Sequence, residues 1–140
     1  MKLLYINNKT ITKIQLRKIY NWYNNPKTSK YLRNKSRTMT KIIEILSRRK
    51  SKSYMINIDN KDVGYIFITK AKNLSYLTII IDKKYWGKGY GKEAMLMIEN
   101  EMKKWKVNKI VLGLYKENKR AYNLYKKLGY KVKKKICINK

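Results

Sequence analysis

In 140 residues the chain carries 36 Lys and Arg against 8 Asp and Glu, a net charge of +28, which attracts anions and repels polycations. An apolar content of 44% suffices for a core and excludes a disordered chain, and one domain over residues 1–140 fits the length. Histidine is absent and Cys137 is the sole cysteine. A Ser-His or Cys-His nucleophile pair, a disulfide framework and a zinc cluster are therefore excluded, no metal site is expected, and a reducing cytoplasm is.

The opening "MKLLYINNKTITK" has neither a secretory apolar region nor a small-residue cleavage site, and residues 2–6 read as a first strand. No run approaches the roughly 20 apolar residues that span a bilayer, so no membrane partner is expected. Residues 11–24 place Ile11, Ile14, Ile19 and Trp22 at an irregular helical spacing, and Asn25-Pro26 ends that helix. Trp22 and Tyr23 read as core or as a substrate wall. Thr38 is a plausible cap for a second helix at 40–49, with Ile42, Ile45 and Leu46 inward and Arg48 and Arg49 at its end. "RRKSK" (48–52) reads as a solvated helix end.

The period then changes. "SYMINID" (53–59), "VGYIFIT" (63–69) and "SYLTIIID" (75–82) are β-branched and aromatic runs separated by turn residues, an antiparallel meander. A helix from Gly89 to Trp105 shows Gly91, Ala94, Met95, Ile98, Met102 and Trp105 on one face. "NKIVLGLY" (108–115) is an apolar strand. "NKRAYNLYKKLGY" is a short helix with Ala121, Leu124, Tyr125 and Leu128 inward and Gly129 just past its end. A last strand over 130–138 carries Lys133, Lys134 and Lys135 as an edge that discourages pairing. The order is β α α β β β α β α β, a mixed, mostly antiparallel sheet flanked by helices, of the α/β class.

"KKYWGKGYGKEAM" (83–95) concentrates three glycines of a chain that has 6. A strand entering a glycine-rich turn and then a helix presents unpaired N–H groups at the positive end of a helix dipole, an arrangement that binds phosphate. Glycine keeps side chains out of the way and permits positive φ. Gly87, Gly89, Gly91 and Lys92 fail the P-loop pattern G-x-x-x-x-G-K-S/T on spacing and on the hydroxyl. They give G-x-G-x-G, not the dinucleotide fingerprint G-x-G-x-x-G.

Trp86-Gly87-Lys88-Gly89-Tyr90-Gly91 instead resembles the acyl-CoA signature Q/R-x-x-G-x-G/A of the GNAT superfamily of N-acetyltransferases, with Trp86 departing from the first position. The stretch looks most like the branch that includes ribosomal-protein and amino-sugar acetyltransferases. Asn118, Ala121, Tyr125 and Gly129-Tyr130 match a second family pattern, N-x-x-A-x-x-x-Y-x-x-x-G-F/Y. The two motifs stand in the family's order, and the element order matches from residue 2 to residue 138. One strand follows Gly129 where the family usually has two, so the last is expected to be missing or supplied by a partner in a homodimer.

The resemblance implies a GNAT fold and acetyl-CoA as cosubstrate. The coenzyme would lie in a cleft where the strand at 75–82 splays from the strand at 108–115. Its diphosphate would rest on the amides of residues 87–92, and its pantetheine would pair with the backbone of Ile79 and Ile81. Lys88 and Lys92 read as phosphate ligands or as general electrostatic support. Asn118 reads as a helix N-cap, as a coenzyme contact, or as both. Tyr125 is either core or the acid that protonates the leaving thiolate.

A base is harder to find. "NLSYLT" (73–78) carries no carboxylate where many family members have one; Asp82 closes the strand, and Glu93 and Glu99 lie beyond the loop. Direct attack in a ternary complex, by an amine already neutral or deprotonated through water, is the expected route. Nearby cations help by lowering an amine's pKa. The charge disfavours polycationic acceptors and favours an amine carried on an anion: a nucleotide-linked amino sugar, or a protein N-terminus on RNA as in a ribosome. The rival reading is a non-catalytic, basic, nucleic-acid-associated module with the same fold.

Overall fold

The computed structural model describes residues 1–32, 36–72, 74–115 and 117–131. The elements in chain order are β1 (Lys2–Ile6), α1 (Lys13–Asn24), α2 (Met39–Leu46), β2 (Ser51–Ile58), β3 (Lys61–Ala71), β4 (Leu74–Ile81), a 3₁₀ turn (Lys83–Tyr85), α3 (Tyr90–Lys104), β5 (Lys109–Leu112) and α4 (Lys119–Lys127). The strand expected over 130–138 falls almost wholly outside the described residues; Tyr130 and Lys131 are in no regular element. Among the described residues, no helix is long and apolar enough to cross a membrane.

Local chemistry sets the helix starts. Thr12 and Gln15 form a reciprocal capping box: the Gln15 amide donates to Thr12 Oγ1 at 3.1 Å, and the Thr12 amide donates to Gln15 Oε1 at 3.0 Å. The helix therefore begins at Lys13, and Ile14, on the apolar spacing of the sequence, is left 72% exposed in the first turn. Thr38 accepts from the Lys41 amide at 3.1 Å and opens α2. That helix stops at Leu46, so Arg48 and Arg49 lie past its end.

The sheet order is β1-β2-β3-β4-β5. Its first four strands pair antiparallel; β5 pairs β4 in parallel, as expected for a strand reached through a crossover helix. Asp59 and Asn60 turn the β2–β3 hairpin with φ of 50° and 64°, a conformation these two residue types tolerate. Alternation along the strands assigns the faces. Met55, Tyr65 and Ile80 stand in register on one face and pack with Ile19, Trp22 and Ile42 of α1 and α2. Tyr54 and Ile66 face the other way, against Ala94, Met95, Ile98 and Met102 of α3. With both faces covered, β2 and β3 read as continuous apolar runs rather than alternating ones.

β5 is shorter than the apolar run 108–115 suggests. It pairs only over Leu74–Leu77 of β4 with Lys109–Leu112, and Gly113 to Tyr115 leave the sheet. From Thr78 to Ile81, β4 keeps β3 on one edge and, among the described residues, has no strand on the other. The two strands part there, and the gap is the floor of a cleft.

Candidate active site

Four elements converge on that cleft, which has a volume of about 1030 Å³, the size range of small-molecule sites. Half-buried Ile79 and Ile81 line it from β4. Gly87, Gly89, Tyr90, Gly91 and Lys92 line it from the glycine loop and the start of α3, and Asn118 and Tyr125 from α4. Lys88 is exposed and is not part of the lining. All the other residues singled out for the site are therefore brought together.

The loop is fixed from several sides. Asp82 caps the 3₁₀ turn by accepting from the Lys84 amide at 3.2 Å, and it also accepts from the Trp22 indole at 3.0 Å. Thr28, buried after α1, accepts from the Lys83 amide at 3.2 Å. Trp86 donates its indole N–H to the Ile81 carbonyl at 2.7 Å. Gly87 and Gly89 then take φ of 80° and 79°, the left-handed region open to glycine.

Gly89 is the N-cap of α3 and supplies no side chain to the first-turn amides. These N–H donors have no acceptor within the helix, and nothing lies within 4 Å of the position a Gly89 Cβ would take. The cleft lining includes Lys30, Lys83, Lys92, Lys119 and Arg120, and Glu117 is its one carboxylate among the described residues. Free amides, room and surplus positive charge fit the phosphates of a coenzyme A thioester.

Asn118 caps α4, its Oδ1 accepting from the Ala121 amide at 3.3 Å; its side-chain nitrogen has no partner among the described residues. Tyr125 is half-buried, with its ring edge-on to Tyr130 at 6.0 Å between centroids. Burial pushes its phenol up to about 12. Tyr130 donates to Glu99 at 2.7 Å, and burial followed by that carboxylate raises its phenol as well. Glu93 meets the N-terminal ammonium at 3.7 Å. Asp82, Glu93 and Glu99 are thus engaged elsewhere, and none of them lines the cleft.

Sequence reasoning missed four contributions. Thr28, Lys30, Tyr31 and Leu32 form a wall from the segment after α1, and proximity across 50 residues leaves no local signature. Glu117 and Arg120 flank the Asn118 cap, one charge among many in so basic a chain. Lys83 packs its ammonium on the Trp86 ring at 4.0 Å. Trp86 itself was the one position that broke the motif, and that break was the available signal.

An open, mixed sheet with α3 crossing from β4 to β5 and a glycine loop at the split defines an acyl-CoA N-acyltransferase architecture. The family model described as the acetyltransferase (GNAT) family matches residues 16–130. The chain belongs to that family, whose members carry acetyl groups from acetyl-CoA. Among solved structures, it is similar to a GNAT-family acetyltransferase from Bacillus anthracis, with 18% identity over 96% of this chain and 82% of that one and a TM-score of 0.75. It is similar to a ribosomal-protein-alanine N-acetyltransferase from Brucella melitensis biovar Abortus 2308, with 12% identity over 99% and 97% and a TM-score of 0.70. An aminoglycoside acetyltransferase from an uncultured soil metagenomic sample, solved with sisomicin, shares 11% identity over 96% and 91% with a TM-score of 0.73. No curated protein matches the chain in sequence. At these identities the likeness shows the fold, and acceptors as different as a ribosomal protein and an aminoglycoside share it.

Proposed function

We propose that the protein transfers the acetyl group of acetyl-CoA to a primary amine, by direct attack within a ternary complex, and that the acceptor is anionic or bound to an anion. The observation that carries this reading is the junction of β4, the glycine loop and α4. Unsatisfied helix amides, an unpaired strand edge and a phenol line one cleft there. Acetyl-CoA supplies an activated thioester. Backbone amides at the free edge of β4 would polarise its carbonyl, as preorganised donors do where negative charge develops. Tyr125 would give its proton to the departing thiolate and recover one from solvent, while the attacking nitrogen loses its proton to water. With no carboxylate on the β4 stretch and five cations lining the cleft against Glu117, the site favours a neutral amine whose pKa the positive field depresses. The same field supports an amino sugar on a nucleotide, or a protein N-terminus held on RNA, over a polyamine.

Two measurements test the reading. Acetyl-CoA should raise the melting temperature by mass action, and Gly89→Asp, which puts bulk and negative charge at the helix start, should abolish that shift. A screen of amines scored by mass spectrometry should yield acetylated anionic or anion-bound acceptors. An unchanged shift in Gly89→Asp overturns the coenzyme site. No thiol release with any amine, together with retention on RNA that falls steeply with salt, favours the binding module instead.

A further inference from the structure

We propose that Arg120 is the cation that closes over a phosphate of the coenzyme's nucleotide arm, and that Trp86 is the residue that positions it. The inference rests on the acetyl-CoA reading and adds to it a residue of α4 whose guanidinium reaches the loop.

Trp86 occupies the first position of the loop signature, where Gln or Arg would bring a polar or cationic side chain. Its indole N–H is committed to the Ile81 carbonyl at 2.7 Å, so the side chain offers only its π face. The Arg120 guanidinium lies 5.9 Å from that ring's centroid, inside the range of cation–π attraction. One of its terminal nitrogens is 3.8 Å from the position a Gly87 Cβ would occupy. A guanidinium is thereby delivered to the loop from α4, replacing in space what the sequence lacks at position 86.

The placement is electrostatically unfavourable without an anion. Arg120 and Lys119 sit in the first turn of α4, which contains no acidic residue, so both oppose the positive end of that helix dipole. Lys92 does the same on α3. Among the described residues none of these three, nor Lys83, has an ion-pair partner. Two helix N-termini and four unpaired cations face one loop whose amides are unsatisfied. A phosphate between the loop and the guanidinium relieves the repulsion and accepts from both sides. The planar fork of arginine suits that role better than an ammonium. Arg120 is exposed, so its retention against the Trp86 ring is not a packing requirement.

Calorimetric titration of the full chain with CoA and with dephospho-CoA, and ligand-observed NMR with pantetheine, test this. A hydrogen bond to a charged group contributes about 1.5–3 kcal/mol, so Arg120→Ala should weaken CoA about 10- to 100-fold and leave pantetheine unaffected. Equal loss for dephospho-CoA assigns the contact to the diphosphate; loss for CoA alone assigns it to the 3′-phosphate; either supports the clamp. Trp86→Phe keeps the ring face and loses only the indole bond to Ile81, so it should retain more CoA affinity than Trp86→Leu. Trp86→Leu should lose at least what Arg120→Ala loses, and adding Arg120→Ala to Trp86→Leu should cost little more, as expected for residues acting as one unit. Wild-type CoA affinity in Arg120→Ala overturns the proposal, and so does a parallel loss of CoA and pantetheine. A wild-type chain that binds no CoA overturns the acetyl-CoA reading itself.

Discussion

Tyr125 shows how one side chain serves packing and chemistry together. Its ring lies against Tyr130, and its hydroxyl has no hydrogen-bond partner among the described residues. Burial disfavours the phenolate and raises the group from 10.0 to about 12. A donor must hold its proton at working pH, and this one does. Because the folded value is raised, the stability linked to it is fully present below pH 10 and is lost as pH rises towards 12. Tyr125→Phe should lower kcat by about 10²–10⁴-fold with little change in acetyl-CoA affinity, since the proton is needed after binding. A thioester with a better leaving thiol should recover much of that rate. Wild-type kcat should rise with pH as the acceptor's ammonium loses its proton and show no alkaline fall below about pH 10. Steady-state kinetics and a melting curve decide the matter: normal turnover with a lower melting temperature makes Tyr125 a core residue. Tyr125, Asn118 and the glycines were legible because they match the family's local patterns, whose spacing a turn and a helix fix. Arg120 and Glu117 were not, because single charges carry no signal in so basic a chain, and the wall after α1 was not, because chain folding, not local spacing, brings it to the cleft.

β3 and β4 approach closely beside the site. Gly64 of β3 stands opposite Ile81 of β4, and a Cβ there would meet the Ile80 carbonyl at 2.4 Å and the Ile56 and Ile81 Cδ1 atoms at 3.0 Å. Backbone must move to admit it. Gly64→Ala should destabilise by about 1–3 kcal/mol, the usual range for overpacking. It should also weaken acetyl-CoA binding, because the displaced end of β4 holds the Trp86 indole. Denaturant unfolding and a coenzyme titration check both effects; an unchanged midpoint would show that the sheet absorbs the methyl. The β2–β4 meander was readable from its β-branched runs. The end of β5 was not, because Leu114 and Tyr115 are apolar for lining the cleft rather than for pairing, and periodicity does not separate the two. Ile14 misled for the opposite reason: the Thr12 cap fixes where the helix starts and so turns that side chain to water.

On the scale of the whole chain, charge and topology act differently. A net charge of +28 repels itself, and the ion pairs of the described residues are few and mostly surface pairs, such as Glu44 between Lys41 and Arg48, worth little in salt. Cohesion therefore falls to the two apolar layers around β2 and β3, with Ile56, Ile66 and Ile68 fully buried in one and Met55 and Tyr65 in the other. The four-residue parallel pairing of β5 draws on them least. That short ladder implies a molecule that breathes unevenly. One wall of the cleft should then belong to the most stable cooperative unit, and the other to a unit that opens on its own. A ligand bridging both walls would couple them. In amide hydrogen exchange, residues 109–112 should exchange faster than 54–56 and 65–68 in the free chain, and acetyl-CoA should slow the first group far more than the second. Equal protection in both groups would instead mean that the chain opens as one body.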